Sequence, residues 1–326
     1  MRYRHHSVLK LVILITCFLW SALGLAQQYP SKPITIVVAY PAGGDTDALA
    51  RLFAEKLSKR IGTPVVIDNR PGATGTIGSS YVSRAPADGY TLLLAPSAFS
   101  TAQLVLKTGK GAAYDVLNGF TPIIETNVLP VFLVAAQNAN IKSFKEALAL
   151  ARTRSLSFAS PGIGSSLHLL GEMVNRAADV NINHVPYKGV APAVNDVLGG
   201  HIPLTYMTLG PVAAYIPSGR LLPLAVADRQ RSPLAPGVPT MIELGYKDIE
   251  VVAWHGLFGP RGLPADVVKL LNAQFNEIIR MPDVVASMAT LGALPLGGPP
   301  ETLMKTNARD LERFGRVIKE LNIQAD

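Results

Sequence analysis

One cysteine serves all 326 residues, and it falls at position 17. A chain this poor in thiols offers no disulfide pair, no thiolate metal site and no Cys-x-x-Cys redox motif. Histidine is also scarce. Past the first few residues only His168, His184, His201 and His255 remain, and none shows the H-E-x-x-H spacing of a zinc site. The G-x-x-x-x-G-K-[ST] phosphate loop and the G-x-S-x-G nucleophile elbow are both missing. Basic residues are scattered and form no stripe, which argues against nucleic acid as a partner. Beyond residue 26 no apolar run approaches the roughly 20 residues of a spanning helix. Hydrolase, metalloenzyme and helical membrane protein all lose their usual signatures.

What is present begins at the N-terminus. Arg2, Arg4 and Lys10 precede an apolar run, residues 11–25, that ends in small residues around Gly24 and Ala26. This is the layout of a cleavable secretory signal, too short for an anchor. Cys17 is not set as a lipidation site, because Thr16 stands where a smaller residue is expected and Phe18-Leu19-Trp20 continues the apolar run. Cleavage after Ala26 would remove the only thiol and lower the net charge from +7 to +4. The remaining residues, 27–326, are enough for two ordinary domains and are expected to be soluble.

That part alternates short apolar runs with amphipathic segments, the pattern of α/β folds. Strands are expected at 34–40, 64–69 and 91–95, with helices at 47–60 and 75–85 between them. A second series has strands at 131–135, 156–159, 183–185, near Leu204 and at 222–227. Its helices start at Ser143 and Ser166 and span 191–199. Three further helices at 264–280, 282–291 and 300–321 each open on a proline, which the first helical turn tolerates. The order suggests two βα lobes and a helical C-terminal tail. The chain would cross between lobes at 123–135 and 251–258, giving 27–130 plus 253–326 as lobe 1 and 131–252 as lobe 2.

Two loops carry the chemistry. Tyr40-Pro41-Ala42-Gly43-Gly44-Asp45-Thr46 links a strand to a helix, with Asp47 placed to cap it. Paired glycines allow close backbone approach, and a helix N-terminus presents unpaired N–H groups to an anion. Ser160-Pro161-Gly162-Ile163-Gly164-Ser165-Ser166 repeats the design in the second series and opens the helix that carries His168. One such loop per lobe would grip one anion across a cleft. A third glycine-rich stretch, 69–78, is spaced G-x-x-G-x-x-G and reads as a turn with close helix packing rather than a dinucleotide site.

With the loops placed, the chain resembles the Bug family, extracytoplasmic solute receptors of tripartite tricarboxylate transporters. The resemblance rests on an ordered set of motifs. These are Tyr29-Pro30-Ser31-Lys32-Pro33-Ile34, Tyr40-Pro41-Ala42-Gly43-Gly44 with Asp47 and Ala50-Arg51, and Asn69-Arg70-Pro71-Gly72-Ala73. They continue through Ala87-Asp88-Gly89-Tyr90, Tyr114-Asp115 with Phe120-Thr121-Pro122, and His184-Val185-Pro186-Tyr187-Lys188-Gly189. Leu198-Gly199-Gly200, Arg231-Ser232-Pro233 and Val238-Pro239-Thr240 complete it.

The resemblance implies a two-lobed periplasmic binding protein, type II-like, that closes as a Venus flytrap and works without catalysis, metal or cofactor. It implies a periplasmic, monomeric receptor that takes a small organic acid and serves the membrane subunits of a transporter. Loops 40–46 and 160–166 would hold the ligand carboxylate through Tyr40, Ala42, Gly43, Gly44, Asp45, Thr46, Ser160, Gly162, Gly164, Ser165 and Ser166. Ser97, Tyr187 and Thr208 would come from other cleft loops. Met207 stands where relatives often carry an aspartate. If it faces the cleft, an acidic contact is lost and amino-acid ligands are disfavoured; alternatively it packs beneath. A receptor that signals through a membrane sensor would have the same fold, and an enzyme on this scaffold would need a cofactor motif or an activated nucleophile.

Overall fold

The computed structural model describes residues 29–106 and 112–324. The signal-like segment and most of the loop that begins at Lys107 lie outside them. Strands β1 (Ile34–Val38), β2 (Val65–Asn69) and β3 (Thr91–Pro96) are parallel, with β1 between the other two. The apolar β1 and β3 are buried almost throughout, as expected for parallel strands covered on both faces. Helices α1 (Asp45–Ile61) and α2 (Thr76–Ser83) connect them. α1 begins two residues before the expected start. Its N-cap is Gly44, so Asp47 lies inside the first turn and not at the cap.

The long strand β4 (Phe120–Ala136) is the seam of the molecule. Its first part, up to Pro130, pairs antiparallel with β9 (Val252–Pro260), which itself pairs with β3. From Val131 it pairs with β7 (Leu204–Thr208) on one side and β8 (Leu221–Val226) on the other. The sequence pattern resolved only the second part as a strand, because Pro122 and Pro130 punctuate it. A proline cannot donate to a ladder, and the pairing register shifts beside Pro122 and again near Glu125. Beyond β7 the sheet continues with β5 (Leu156–Ser160) and β6 (Ile182–Pro186), parallel to each other, β5 also being parallel to β7. The strand order is β2-β1-β3-β9-β4-β7-β5-β6, with the short β10 (Leu294–Pro295) also on β4. Two residues long, β10 had no periodicity to reveal it.

The result is a two-lobed α/β binding-protein fold, each lobe flanked by helices. α3 (Ala102–Val105) follows β3, and α4 (Phe144–Ala151), α5 (Ser166–Ala178), α6 (Val190–Leu198) and α7 (Gly210–Ala213) belong to the second series. α8 (Ala265–Ile278), α9 (Pro282–Thr290) and α10 (Pro300–Glu320) form the tail. α10 buries Leu303, Thr306, Asn307, Asp310, Phe314 and Ile318, an i, i+3/i+4 stripe. Three of its polar residues are tied down: Thr306 donates to Glu125 (2.8 Å), Asn307 accepts from Ser100 (2.6 Å), and Asp310 accepts from the Trp254 indole (2.7 Å). On the same sheet face as Leu303 and Trp254, Phe99 packs on Phe120 and Phe258, with ring centroids 5.0 and 4.9 Å away. No described helix is long and apolar enough to cross a membrane.

Candidate ligand-binding site

The parallel strands of both lobes aim their carboxyl ends at one cavity of about 320 Å³. Such ends are where α/β sheets bind ligands, because helix N-termini and irregular loops gather there. After β1 come residues 40–46, after β3 Pro96 to Ala98, after β5 Pro161 and Ser165 to Leu167, and after β6 Lys188 to Pro192. Thr208 closes β7. The floor is Leu129 of β4 with Ala253, Trp254 and His255 of β9.

The first loop is held by Asp47. Its buried carboxylate accepts from the Gly43 amide (2.9 Å), Arg51 (3.0 Å) and Asn69 (2.9 Å). Burial alone would raise its pKa, but the bonds from Arg51, Gly43 and Asn69 hold the carboxyl below the usual range. Gly43 has φ +87°, a left-handed conformation that glycine adopts freely. Among the described residues the amides of Gly44 and Asp45 donate to no protein acceptor and face the α1 N-terminus. Thr46 is fixed from the far lobe-crossing strand: its hydroxyl lies 2.9 Å from His255 Nε2. The Thr126 hydroxyl lies 2.8 Å from Asn127 Oδ1 and 3.1 Å from the His255 carbonyl, and Asn127 Nδ2 lies 3.2 Å from His255 Nδ1. His255 thus bridges Thr46 of the first loop and Asn127 of β4 through its two ring nitrogens. Burial lowers the pKa of His255 and keeps the ring neutral.

The second loop is more tightly committed. Ser165 caps α5, accepting from the His168 amide (3.2 Å) and donating to the Gly162 carbonyl (2.8 Å). Ser166 Oγ meets Ser97 Oγ at 3.2 Å across the cleft, and Thr101 donates to the Gly164 carbonyl at 2.8 Å. The lobes therefore touch here. Thr208 is 3 % exposed and its hydroxyl has no hydrogen-bond partner. A buried hydroxyl at a cavity wall is costly unless something there pairs with it.

Of the residues expected from the sequence, Tyr40, Ala42, Gly43, Gly44, Asp45, Thr46, Ser97, Ser165, Ser166 and Thr208 line the cavity. Ser160, Gly162, Gly164, Tyr187 and Met207 do not. Ser160 is buried behind its loop, 2.6 Å from His184 Nε2. The His184 ring stacks on His168 with centroids 3.7 Å apart, and burial followed by His168 pushes its pKa down to about 3. Gly162 turns the chain, its carbonyl accepting from Ser165. Gly164 is a close-packing glycine, since a Cβ there would lie 2.2 Å from Val105. The Tyr187 hydroxyl turns away to Asp196. Met207 is fully buried in the core, in register with Phe132, because strand alternation puts it opposite its neighbour Thr208. The sequence reading missed Thr74, Lys188, Trp254 and His255. Segment 251–258 was expected only to cross between lobes, yet a strand that crosses a cleft must also floor it.

The family model for the tripartite tricarboxylate transporter family receptor matches residues 49–323. The chain belongs to that family. A UPF0065 protein encoded in the tcbD-tcbE intergenic region of a Pseudomonas strain is 36% identical over 92% of this chain and 89% of its own. Among solved structures, the periplasmic binding protein BugD superposes with a TM-score of 0.83 at 35% identity, covering 91% of this chain and all of that one. R. palustris Rpa4515, solved with adipate, gives 0.84 at 32% identity over 91% and 99% of the two chains. The receptor thus shares its fold along nearly its whole length with binding proteins of this kind, and the family is one of receptors rather than enzymes.

Proposed function

We propose that the receptor is exported to the periplasm by cleavage after Ala26 and captures a small carboxylate in the cleft between 27–130 plus 253–326 and 131–252. It then delivers the ligand to the membrane subunits of a tripartite transporter. The observation that carries this reading is the meeting of the α1 and α5 N-termini on one cavity, with the Gly44 and Asp45 amides unpaired there. Both helix ends favour negative charge, each contributing about 0.3–1 kcal/mol and up to ~2 when partly buried. Hydrogen bonds to a charged group contribute roughly 1.5–3 kcal/mol each. Micromolar affinity needs about −8 kcal/mol, so four or five such contacts with lobe closure are sufficient.

The relative solved with adipate supports a carboxylate as the chemical class. The walls support an organic body behind it, since Pro41, Leu129, Leu167, Pro192 and Trp254 are all apolar. The test is a thermal-shift screen of residues 27–326 against di- and tricarboxylates, aromatic acids and amino acids, followed by titration calorimetry. Ligand at 100 times its Kd should stabilise the fold by about 2.7 kcal/mol. Calorimetric silence across all acid classes would refute carboxylate capture.

A further inference from the structure

We propose that Asp45 makes this cavity selective for carboxylic acids that carry a hydrogen-bond donor, a hydroxyl or an ammonium, on the carbon next to the carboxylate. The inference rests on the capture reading above and names the ligand class for that same site. The loop that offers free amides to an anion also carries an acidic side chain, the only one lining the cavity among the described residues.

Asp45 is the first residue of α1, directly beside those amides. One carboxylate oxygen, Oδ1, accepts from the Thr46 amide at 2.8 Å and lies 3.4 Å from the Thr46 hydroxyl. Oδ2 accepts nothing from the described residues. Nor does any described basic group form an ion pair with Asp45, although the charged residues nearby in sequence, Asp47 and Arg51, are paired with each other. Its electrostatic neighbours are Tyr40 and His255. Burial keeps both neutral, so neither compensates the charge. Among the described residues Lys188 is the one cationic residue on the cavity wall, and no ion pair joins it to Asp45.

A plain carboxylate bound to the Gly44 and Asp45 amides would therefore sit beside a second, uncompensated carboxylate in a largely apolar enclosure, where repulsion is poorly screened. A donor on carbon 2 of the ligand resolves this. It reaches from the captured carboxylate back to Oδ2 and replaces repulsion with a charge-assisted hydrogen bond. Met207, the position at which an acidic contact seemed lost, is buried in the core and does not decide the matter. Asp45, four residues past Pro41 in the first loop, supplies the acid instead.

The test uses matched triads on three scaffolds: succinate, malate and aspartate; phenylacetate, mandelate and phenylglycine; adipate, 2-hydroxyadipate and 2-aminoadipate. Titration calorimetry on the wild-type receptor should show, on whichever scaffold fits, a 2-substituted member bound at least about tenfold tighter than the unsubstituted acid, since a polar site left unpaired rejects the analogue that lacks the partner group. In Asp45→Asn, which keeps an oxygen for the Thr46 amide, and in Asp45→Ser, that ratio should fall to about one. The unsubstituted acid should also bind more tightly than to wild type, a gain that loss of structure cannot produce. The proposal is overturned if the variants keep the wild-type ratio or weaken all members in parallel. It is overturned as well if wild type binds unsubstituted acids best. If wild type binds no acid on any scaffold, the carboxylate reading itself fails, a different result from binding without preference.

Discussion

The two anion-facing loops are written in nearly the same words and are built differently. Loop 40–46 leaves its backbone open: Gly43 adopts φ +87° with no atom within 4 Å of a built Cβ, and the next two amides have no acceptor among the described residues. Loop 160–166 spends its groups on itself. Ser160 and Ser165 bond within the loop or to His184, and Gly164 exists to let Val105 of the other lobe come close. Both loops end on helix-start amides at the cavity, but the second also presents a surface on which the lobes meet. Gly43 serves backbone conformation alone, whereas Gly164, at φ +77°, serves conformation and steric clearance together, and composition alone does not tell them apart.

Substitutions can break this contrast. The largest effect is expected from Gly43→Val, because a β-branched residue is strained at positive φ and must move the free amides. Affinity should drop at least about a hundredfold in calorimetry while the circular dichroism spectrum is retained; unchanged affinity would remove this loop from the site. Gly164→Ala should act through closure instead. Its Cβ would collide with Val105 and be strained at φ +77°, so ligand should no longer compact the receptor in small-angle scattering and affinity should fall by roughly tenfold. A variant that still compacts would show that the Val105 contact is not part of closing.

Replacing Ser165 and Ser166 together by Ala should lower stability by about 1 kcal/mol through loss of the α5 cap. Binding should weaken as well, because the Ser166 hydroxyl faces Ser97 at the cavity. The last effect appears only in acid. His184 is held neutral in the folded state with its pKa pushed down to about 3, below the ordinary 6.5. The unfolded chain binds the extra proton first, so this contribution is complete above about pH 6.5 and is lost as pH falls toward 3. Urea denaturation should show stability declining across that window, with a shallower decline in His184→Gln. Equal slopes would place the acid sensitivity elsewhere.

Much of the fold was legible because it is local. Alternating apolar runs located seven of the strands, and prolines at helix starts marked α8, α9 and α10. Asp47 was read as a cap and does stabilise that helix end, but from inside the first turn, through the Gly43 amide. The seam strand β4 was only half legible, since its prolines imitate loop punctuation while the pairing partners on either side keep it extended. Met207 illustrates the limit at a single position: whether a strand residue faces core or cleft depends on which face the sheet buries, and Thr208, one residue on, took the cleft.

By itself the sequence determined the order of βα units, the two glycine-serine loops and the family they mark, because helix periodicity, turn chemistry and motif order are properties of neighbouring residues. Tertiary structure alone decided which groups converge. His255 reaches Thr46, Ser97 reaches Ser166, and Trp254 is pinned by Asp310, each pair far apart along the chain. Among the described residues it also left the Asp45 carboxylate without a counter-ion beside free amides. The physical reason is that hydrogen bonds and charge compensation are settled by the packing of distant segments, and no local pattern records which segments will meet.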